Sequence, residues 1–198
     1  MGPNLARNIS ACRRTSLQWL CDHDPERVER FKSLYPAASA STDPAELISS
    51  EVEAVAIATP VDTHFTLAKA CLEAGKHVLL SKPMTATVAE AEALRDLANE
   101  RGLTLMVDHT FNYTSAVTRI KELVSAGELG DLLYWDSVRV NLGLFQHDVN
   151  VLWDLAPHDV SIMDYVVGQP AYSVSATGVA HYDSKLEDVA YMTLRFDN

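Results

Sequence analysis

Apolar positions recur along this chain in two rhythms, and the change of rhythm divides it. Up to about residue 113, short, mostly apolar runs alternate with segments whose apolar positions fall three and four apart. The runs 17–21, 37–41, 54–58, 77–80 and 103–107 read as buried strands of a parallel sheet. Helices are predicted between them. The first begins at Gly2, with Leu5, Ile9 and Cys12 on one face; a second covers 26–35, behind Asp24 as N-cap and Pro25 at the first helical position. Asp43-Pro44-Ala45-Glu46 is a capping box for a short third helix, Thr63 caps a fourth that stops at Gly75, and Thr87 with Glu90 boxes a fifth that stops at Gly102. Strand alternating with helix is the pattern of an α/β doubly wound sheet.

After Tyr113 the pattern changes. A helix over 115–126 ends at Gly127, and the longer strand 132–142 alternates apolar with polar, as an antiparallel strand with one wet face does. A helix lies within 150–167 and is expected to be interrupted near its start by Pro157. The segments 173–181 and 188–196 read as paired antiparallel strands. The boundary falls near 112–115, giving domains 1–113 and 114–198.

Composition narrows the function classes. The 198 residues are 47% hydrophobic and 22% charged, an ordinary globular balance with no signal-like or membrane-spanning apolar window, so a cytoplasmic protein without a membrane partner is expected. A net charge of -11 disfavours nucleic acid and leaves a small molecule as the expected partner. Cys12, Cys21 and Cys71 have neither disulfide nor zinc spacing and read as reduced packing residues.

Three clusters carry candidate chemistry. The run His77-Val-Leu-Leu-Ser-Lys-Pro-Met84 presents Lys82 at the carboxyl end of a strand, where open α/β sheets hold ligands. Gly2 opens a helix, Asp22 closes a strand twenty positions later, and Ala58-Thr59-Pro60 ends the strand after the crossover. That is the spacing at which a Rossmann unit places its last fingerprint glycine and the carboxylate that accepts the adenine ribose hydroxyls. Asp22 would repel a 2′-phosphate, which favours NAD over NADP. The third cluster is Asp154-Leu-Ala-Pro-His158-Asp159, in which positions four apart share a helix face and an imidazole can take a hydroxyl proton. An alternative assembles His147-Asp148, Asp154 and His158-Asp159 into the metal site of a hydrolase.

The segments Ala54-Val-Ala-Ile-Ala-Thr-Pro, Ala74-Gly-Lys-His-Val-Leu-Leu-Ser-Lys-Pro-Met and Trp153-Asp-Leu-Ala-Pro-His-Asp resemble, in order, the glucose-fructose oxidoreductase, inositol dehydrogenase and rhizopine-catabolism (Gfo/Idh/MocA) family. The resemblance implies an NAD(P)-binding Rossmann domain followed by an α+β domain with an open antiparallel sheet. It further implies that Lys82, Asp154 and His158 flank the nicotinamide as catalytic residues. Gly2, Asp22, Thr59, Pro60, His64, Ser81 and Lys82 would bind the cofactor. The expected reaction moves a hydride from a sugar carbon to NAD while His158 takes the hydroxyl proton, Lys82 stabilises the alkoxide and Asp154 orients the pair. The wording around Gly2 and Trp153 is similar to the branch that oxidises a UDP-linked N-acetylated sugar. Arg139 and Asn141 either face that substrate or face solvent. A homodimer or homotetramer is implied for the full-length enzyme.

Two departures modify the expectation. Ser81 stands where the family motif has a glutamate and reaches less far towards a nicotinamide ribose. The sequence also contains no candidate for the first, central strand of the Rossmann order 3-2-1-4-5-6, nor the first two fingerprint glycines. Losing such a strand costs on the order of 10 kcal/mol, against about 5–15 kcal/mol for a whole domain. The chain is therefore expected to be an incomplete Rossmann unit joined to part of an α+β domain, truncated at both ends and catalytically impaired. A non-catalytic nucleotide- or sugar-sensing module is the alternative if the short form is natural.

Overall fold

The computed structural model describes residues 2–140, 149–182 and 185–197. The chain divides into two compact units, 1–108 and 109–198. The first contains α1 (Gly2–Ala11), β1 (Trp19–Cys21), α2 (Pro25–Leu34), β2 (Ser39–Ser41), α3 (Pro44–Ser49), β3 (Ala54–Ile57), α4 (Val61–Glu73), β4 (His77–Ser81), α5 (Val88–Glu100) and β5 (Leu105–Asp108).

All pairings in this unit are parallel. β3, β4 and β5 form one sheet in that order, with Ile57 opposite Leu80 and Ser81 opposite Asp108. β1 and β2 form a second, Trp19 opposite Ser39. In the doubly wound order a strand would sit between β1 and β3, and among the described residues none joins the two sheets. The larger sheet carries the core: Ile57, Val78 and Leu80 pack with Ala68, Cys71 and Leu72 of α4 and with Leu94 and Ala98 of α5. Burying side chains of this size contributes about 1.5–3 kcal/mol each, so β4 is the most firmly held strand of the unit.

Most of the predicted punctuation is present. Asp24 accepts from the Glu26 N–H at 2.9 Å, and Thr87 and Glu90 close a reciprocal box. The box at Asp43 forms on one side only: its carboxylate accepts from the Ala45 N–H, while its own N–H donates to the Ser41 hydroxyl instead of Glu46. Thr63 does not cap α4, which starts two residues earlier behind Pro60; its hydroxyl bonds the Thr59 hydroxyl and the Pro60 carbonyl. Cys71 is a packing residue, but Cys12 is exposed, because α1 ends at Ala11 before the apolar face can continue.

The second unit contains a 3-10 turn (Thr110–Tyr113), α6 (Ser115–Ser125), α7 (Val151–Val167), β6 (Ser173–Val179) and β7 (Val189–Arg195). β6 and β7 pair antiparallel over seven positions each, from Ser173 opposite Arg195 to Val179 opposite Val189. The strand expected over 132–142 does not form within 131–140, and its last residues lie outside the described residues. Alternation alone supplies no ladder: β6 and β7 take each other as partners, and 131–140 is held through its side chains.

α7 runs unbroken through Pro157, contrary to the expected interruption. The helix loses one backbone bond, to the Trp153 carbonyl, and is anchored at both ends instead. Asn150 caps it by accepting from the Trp153 N–H at 3.0 Å, and the Val151 N–H donates to the Glu187 carbonyl. At the far end Gly168 takes φ 73°, a left-handed conformation that glycine adopts without Cβ strain, and returns its N–H to the Asp164 carbonyl. Among the described residues no helix is long and apolar enough to cross a membrane.

Candidate active site

In the first unit the candidate residues follow the carboxyl ends of strands in the two parallel sheets. Parallel strands point their carboxyl ends the same way, so Asp22 after β1, Thr59 and Pro60 after β3, Ser81 and Lys82 at the end of β4, and Asp108 at the end of β5 all follow strand termini. Asp22 is partly buried. Its Oδ1 accepts from the Asp24 N–H at 3.1 Å, and its Oδ2 lies 3.6 Å from Arg27 Nη1. Asp108 was not singled out from sequence; only the β4–β5 register sets it beside Ser81.

His64 is 1% exposed, with Nδ1 3.0 Å from the Pro83 carbonyl and Nε2 2.9 Å from the Thr59 carbonyl. Both ring nitrogens are turned to main-chain oxygens, so His64 ties the turn after β3 to the turn after β4. Gly2 opens α1 as read, but a Cβ there would meet nothing within 4 Å, so no close helix–sheet approach among the described residues demands glycine. A groove of about 490 Å³ along α5 and β5, lined by Met84, Arg95, Asn99, Leu105 and Val107 among others, includes none of the candidate residues.

Two atoms at these strand ends fit a dinucleotide. Ser81 is 5% exposed and its Oγ meets no hydrogen-bond partner among the described residues. A buried hydroxyl left so costs about 1–3 kcal/mol, and a ribose hydroxyl would satisfy it. Asp22 Oδ2 accepts no hydrogen bond from the described residues and suits an adenine ribose hydroxyl. Arg27 beside it bears on the choice between NAD and NADP.

In the second unit α7 carries Asp154 and His158, both partly buried. Because the helix is continuous, the spacing of four puts the carboxylate and the imidazole on one face. Asp154 lies in the first turn of the helix. The His158 ring meets Phe111 edge to face, centroids 4.8 Å apart and planes at 81°, and its carbonyl accepts from the Ser161 hydroxyl.

Next to it, Asp159 accepts from Arg139 Nε at 2.8 Å, from Arg139 Nη2 at 3.3 Å and from the Ser137 hydroxyl at 2.7 Å. Burial works to raise this carboxyl, but the Arg139 and Ser137 bonds and the charges of Arg139 and His158 outweigh it and hold it below the usual carboxylate range. Arg139 is thus solvent-exposed, one of the two expectations for it, and is at the same time bound to Asp159. Asn141, His147 and Asp148 lie outside the described residues. Among the described residues no three His, Cys, Asp or Glu side chains are grouped to hold a metal ion.

Parallel strands that end on a partly buried carboxylate, an orphaned hydroxyl and a lysine, in a chain that also carries an Asp and a His four apart on one helix, fit the class of nicotinamide-binding Rossmann proteins. The family model for oxidoreductases with an NAD-binding Rossmann fold matches residues 1–109, and the Gfo/Idh/MocA C-terminal domain matches 117–198. The chain belongs to the Gfo/Idh/MocA oxidoreductase family and carries its NAD-binding Rossmann domain.

It is 30% identical over 86% of its length to scyllo-inositol 2-dehydrogenase (NADP(+)) IolW of Bacillus subtilis. It is 35% identical over 75% to UDP-N-acetylglucosamine 3-dehydrogenase of Acidithiobacillus ferrooxidans. The chain spans about half the length of these relatives, 50% and 47%. Among solved structures, GenD2 from gentamicin A biosynthesis in complex with NAD superposes with TM-score 0.85 at 27% identity, over 96% of this chain and 58% of that one.

Proposed function

We propose that this chain carries the cofactor-binding and acid–base parts of an NAD-dependent dehydrogenase that oxidises a hydroxyl group of a sugar, and specifically of a nucleotide sugar. The observation that carries the reading is the Asp154–His158 pair on one face of an unbroken helix, in a chain whose β4 leads directly into Lys82. Bound NAD supplies the hydride acceptor. His158 takes the proton of the reacting hydroxyl, a contribution of about 10²- to 10⁴-fold. Lys82 offers a cation to the oxygen as negative charge develops on it. Asp154 orients the imidazole and favours its protonated form. Ser81, Thr59, Pro60 and Asp22 line the dinucleotide, and His64 holds two of the turns that carry them.

The nucleotide-sugar reading is supported by the likeness to UDP-N-acetylglucosamine 3-dehydrogenase, and the likeness to IolW supports a free cyclitol as its rival. Assay against UDP-sugars and free polyols, each with NAD and NADP, separates them. Turnover of a UDP-sugar with NAD supports the proposal; turnover confined to polyols overturns the nucleotide-sugar part. Replacing His158 or Lys82 by Ala should lower turnover at least tenfold. Unchanged turnover removes that residue from the mechanism.

The unjoined β1–β2 and β3–β4–β5 sheets favour a second reading, a nucleotide-sensing module without turnover. Calorimetric binding of NAD with no turnover of any panel substrate would select it.

A further inference from the structure

The side chains around His158 form a closed frame. Asp159, the next residue on α7, grips Arg139 at two nitrogens, 2.8 and 3.3 Å away. The same guanidinium stands over the Phe111 ring, Cζ 5.3 Å from its centroid, and that ring meets the His158 imidazole at 4.8 Å. Ser137 steadies the Asp159 carboxylate at 2.7 Å, and Ser161 bonds both the His158 carbonyl and Asn112, the residue after Phe111. Three separate stretches of chain, the 3-10 turn, the extended segment 131–140 and α7, are therefore connected through one aromatic ring and one ion pair. Such a frame is the kind of support that fixes the rotamer of a catalytic side chain.

The geometry points to Arg139, Asp159 and Phe111 as positioning residues for His158: the carboxylate fixes the guanidinium, the guanidinium fixes the ring, and the ring fixes the imidazole. The inference rests on the proposed role of His158, but the frame itself is independent of any substrate.

Two opposite charges lie close to the imidazole. Asp159 stabilises an imidazolium, as the attraction between His158 and the Asp159 carboxylate shows from the other side, and Arg139 opposes it. The other charged groups on the elements packed there are accounted for. Asp154, Asp164 and Tyr165 are on α7 itself, Asp131, Tyr134 and Asp136 are on the segment 131–140, and His109 is the N-cap residue of the 3-10 turn. On α6, Lys121 is turned to the Val166 carbonyl and Arg119 is paired with Glu122, while β7 contributes Arg195. The 3-10 turn presents only Tyr113, which is exposed.

The test is an NMR titration of the His158 ring protons in the 198-residue chain, with His158→Gln assigning the resonance. Asp159→Asn should lower the His158 midpoint by about half a pH unit or more, and Arg139→Met should raise it by a similar amount. A merely structural pair would move both variants the same way, towards the value of an unfolded chain. Phe111→Leu should remove the ring-current displacement of the His158 signals while leaving unit 1 methyl signals unchanged. If Arg139→Met disturbs the fold, Arg139→Lys replaces it, and the midpoint should hold while the ring-current displacement shrinks. Shifts of the same sign in the two charge variants, or His158 signals indifferent to Phe111→Leu, overturn the inference. The catalytic role of His158 is judged separately, by the turnover of His158→Ala, so the failure of one reading is not mistaken for failure of the other.

Discussion

The two candidate clusters are held by different means. Lys82 and Ser81 stand at the end of β4, whose Val78 and Leu80 are 2% and 0% exposed inside a helix-covered parallel sheet. His158 stands on α7, in a unit where β6 is exposed at every position and the buried apolar residues on its helices are Val117, Met163 and Val166. The Lys82 cluster is therefore fixed by close packing, which transmits any loss of volume. The His158 cluster is fixed by a cap, an ion pair and an aromatic contact, each individually modest. The difference teaches that mutations should act on the first unit through volume and on the second through charge and backbone chemistry.

The largest expected effect is in the packed unit. Leu72→Ala or Leu80→Ala should cost about 2–5 kcal/mol, whereas Val174→Ala on the exposed face of β6 should stay within about 0.5 kcal/mol. Comparable losses in urea unfolding would erase the contrast. Next comes Pro157→Ala, which restores a donor to the interior of α7 and should stabilise the second unit by about 1–3 kcal/mol. Destabilisation there would mean that the proline ring itself packs usefully. Thr87→Ala, which breaks the reciprocal cap of α5, should cost about 1 kcal/mol, visible as a lower midpoint for the first unit alone.

The smallest effects are pH-dependent and of opposite sense in the two units. Asp159 and Asp188 both titrate below the usual carboxylate range in the folded chain. For Asp188 the causes are the His181 ring and the N–H groups of Tyr182 and His181, which outweigh burial. Their stabilisation is complete above the unfolded carboxylate value and is lost as pH falls through the lowered folded values, so acid should loosen the second unit first. Cys71 is pushed up to about 11 by burial, partly offset by Lys76. The folded thiol holds its proton where an unfolded one has lost it, so the first unit should weaken as pH rises from about 9 towards 11. Circular dichroism across both ranges, with Cys71→Ala and Asp188→Asn as controls, checks the two signs. The same burial predicts that a thiol reagent labels exposed Cys12 well before Cys71.

Much of the first unit was legible because its signals are local. An apolar run ending in Lys82-Pro83, a carboxylate after a strand and a threonine three residues before a glutamate each specify an element through neighbouring residues alone. The second unit was less legible where partners are remote. The alternation of 132–142 suggested a strand, but a ladder needs a partner that the pattern cannot name. Pro157 suggested a break, but Asn150, the Glu187 carbonyl and Gly168 hold the helix across it.

By itself the sequence determined the strand and helix order of the parallel unit and the family motifs, and nominated Lys82, Asp154 and His158 as candidate residues. These follow from periodicity, capping chemistry and residue type, which act within a few residues. Only the tertiary structure decided that Asp108 aligns with Ser81, that His64 turns both ring nitrogens to main-chain carbonyls, and that Arg139 closes on Asp159 over Phe111. Apart from His64 to the nearby Thr59 carbonyl, those contacts join residues 19 to 28 positions apart, and which long-range partners meet is set by the register of the sheet and by the packing of helices, not by any local spacing.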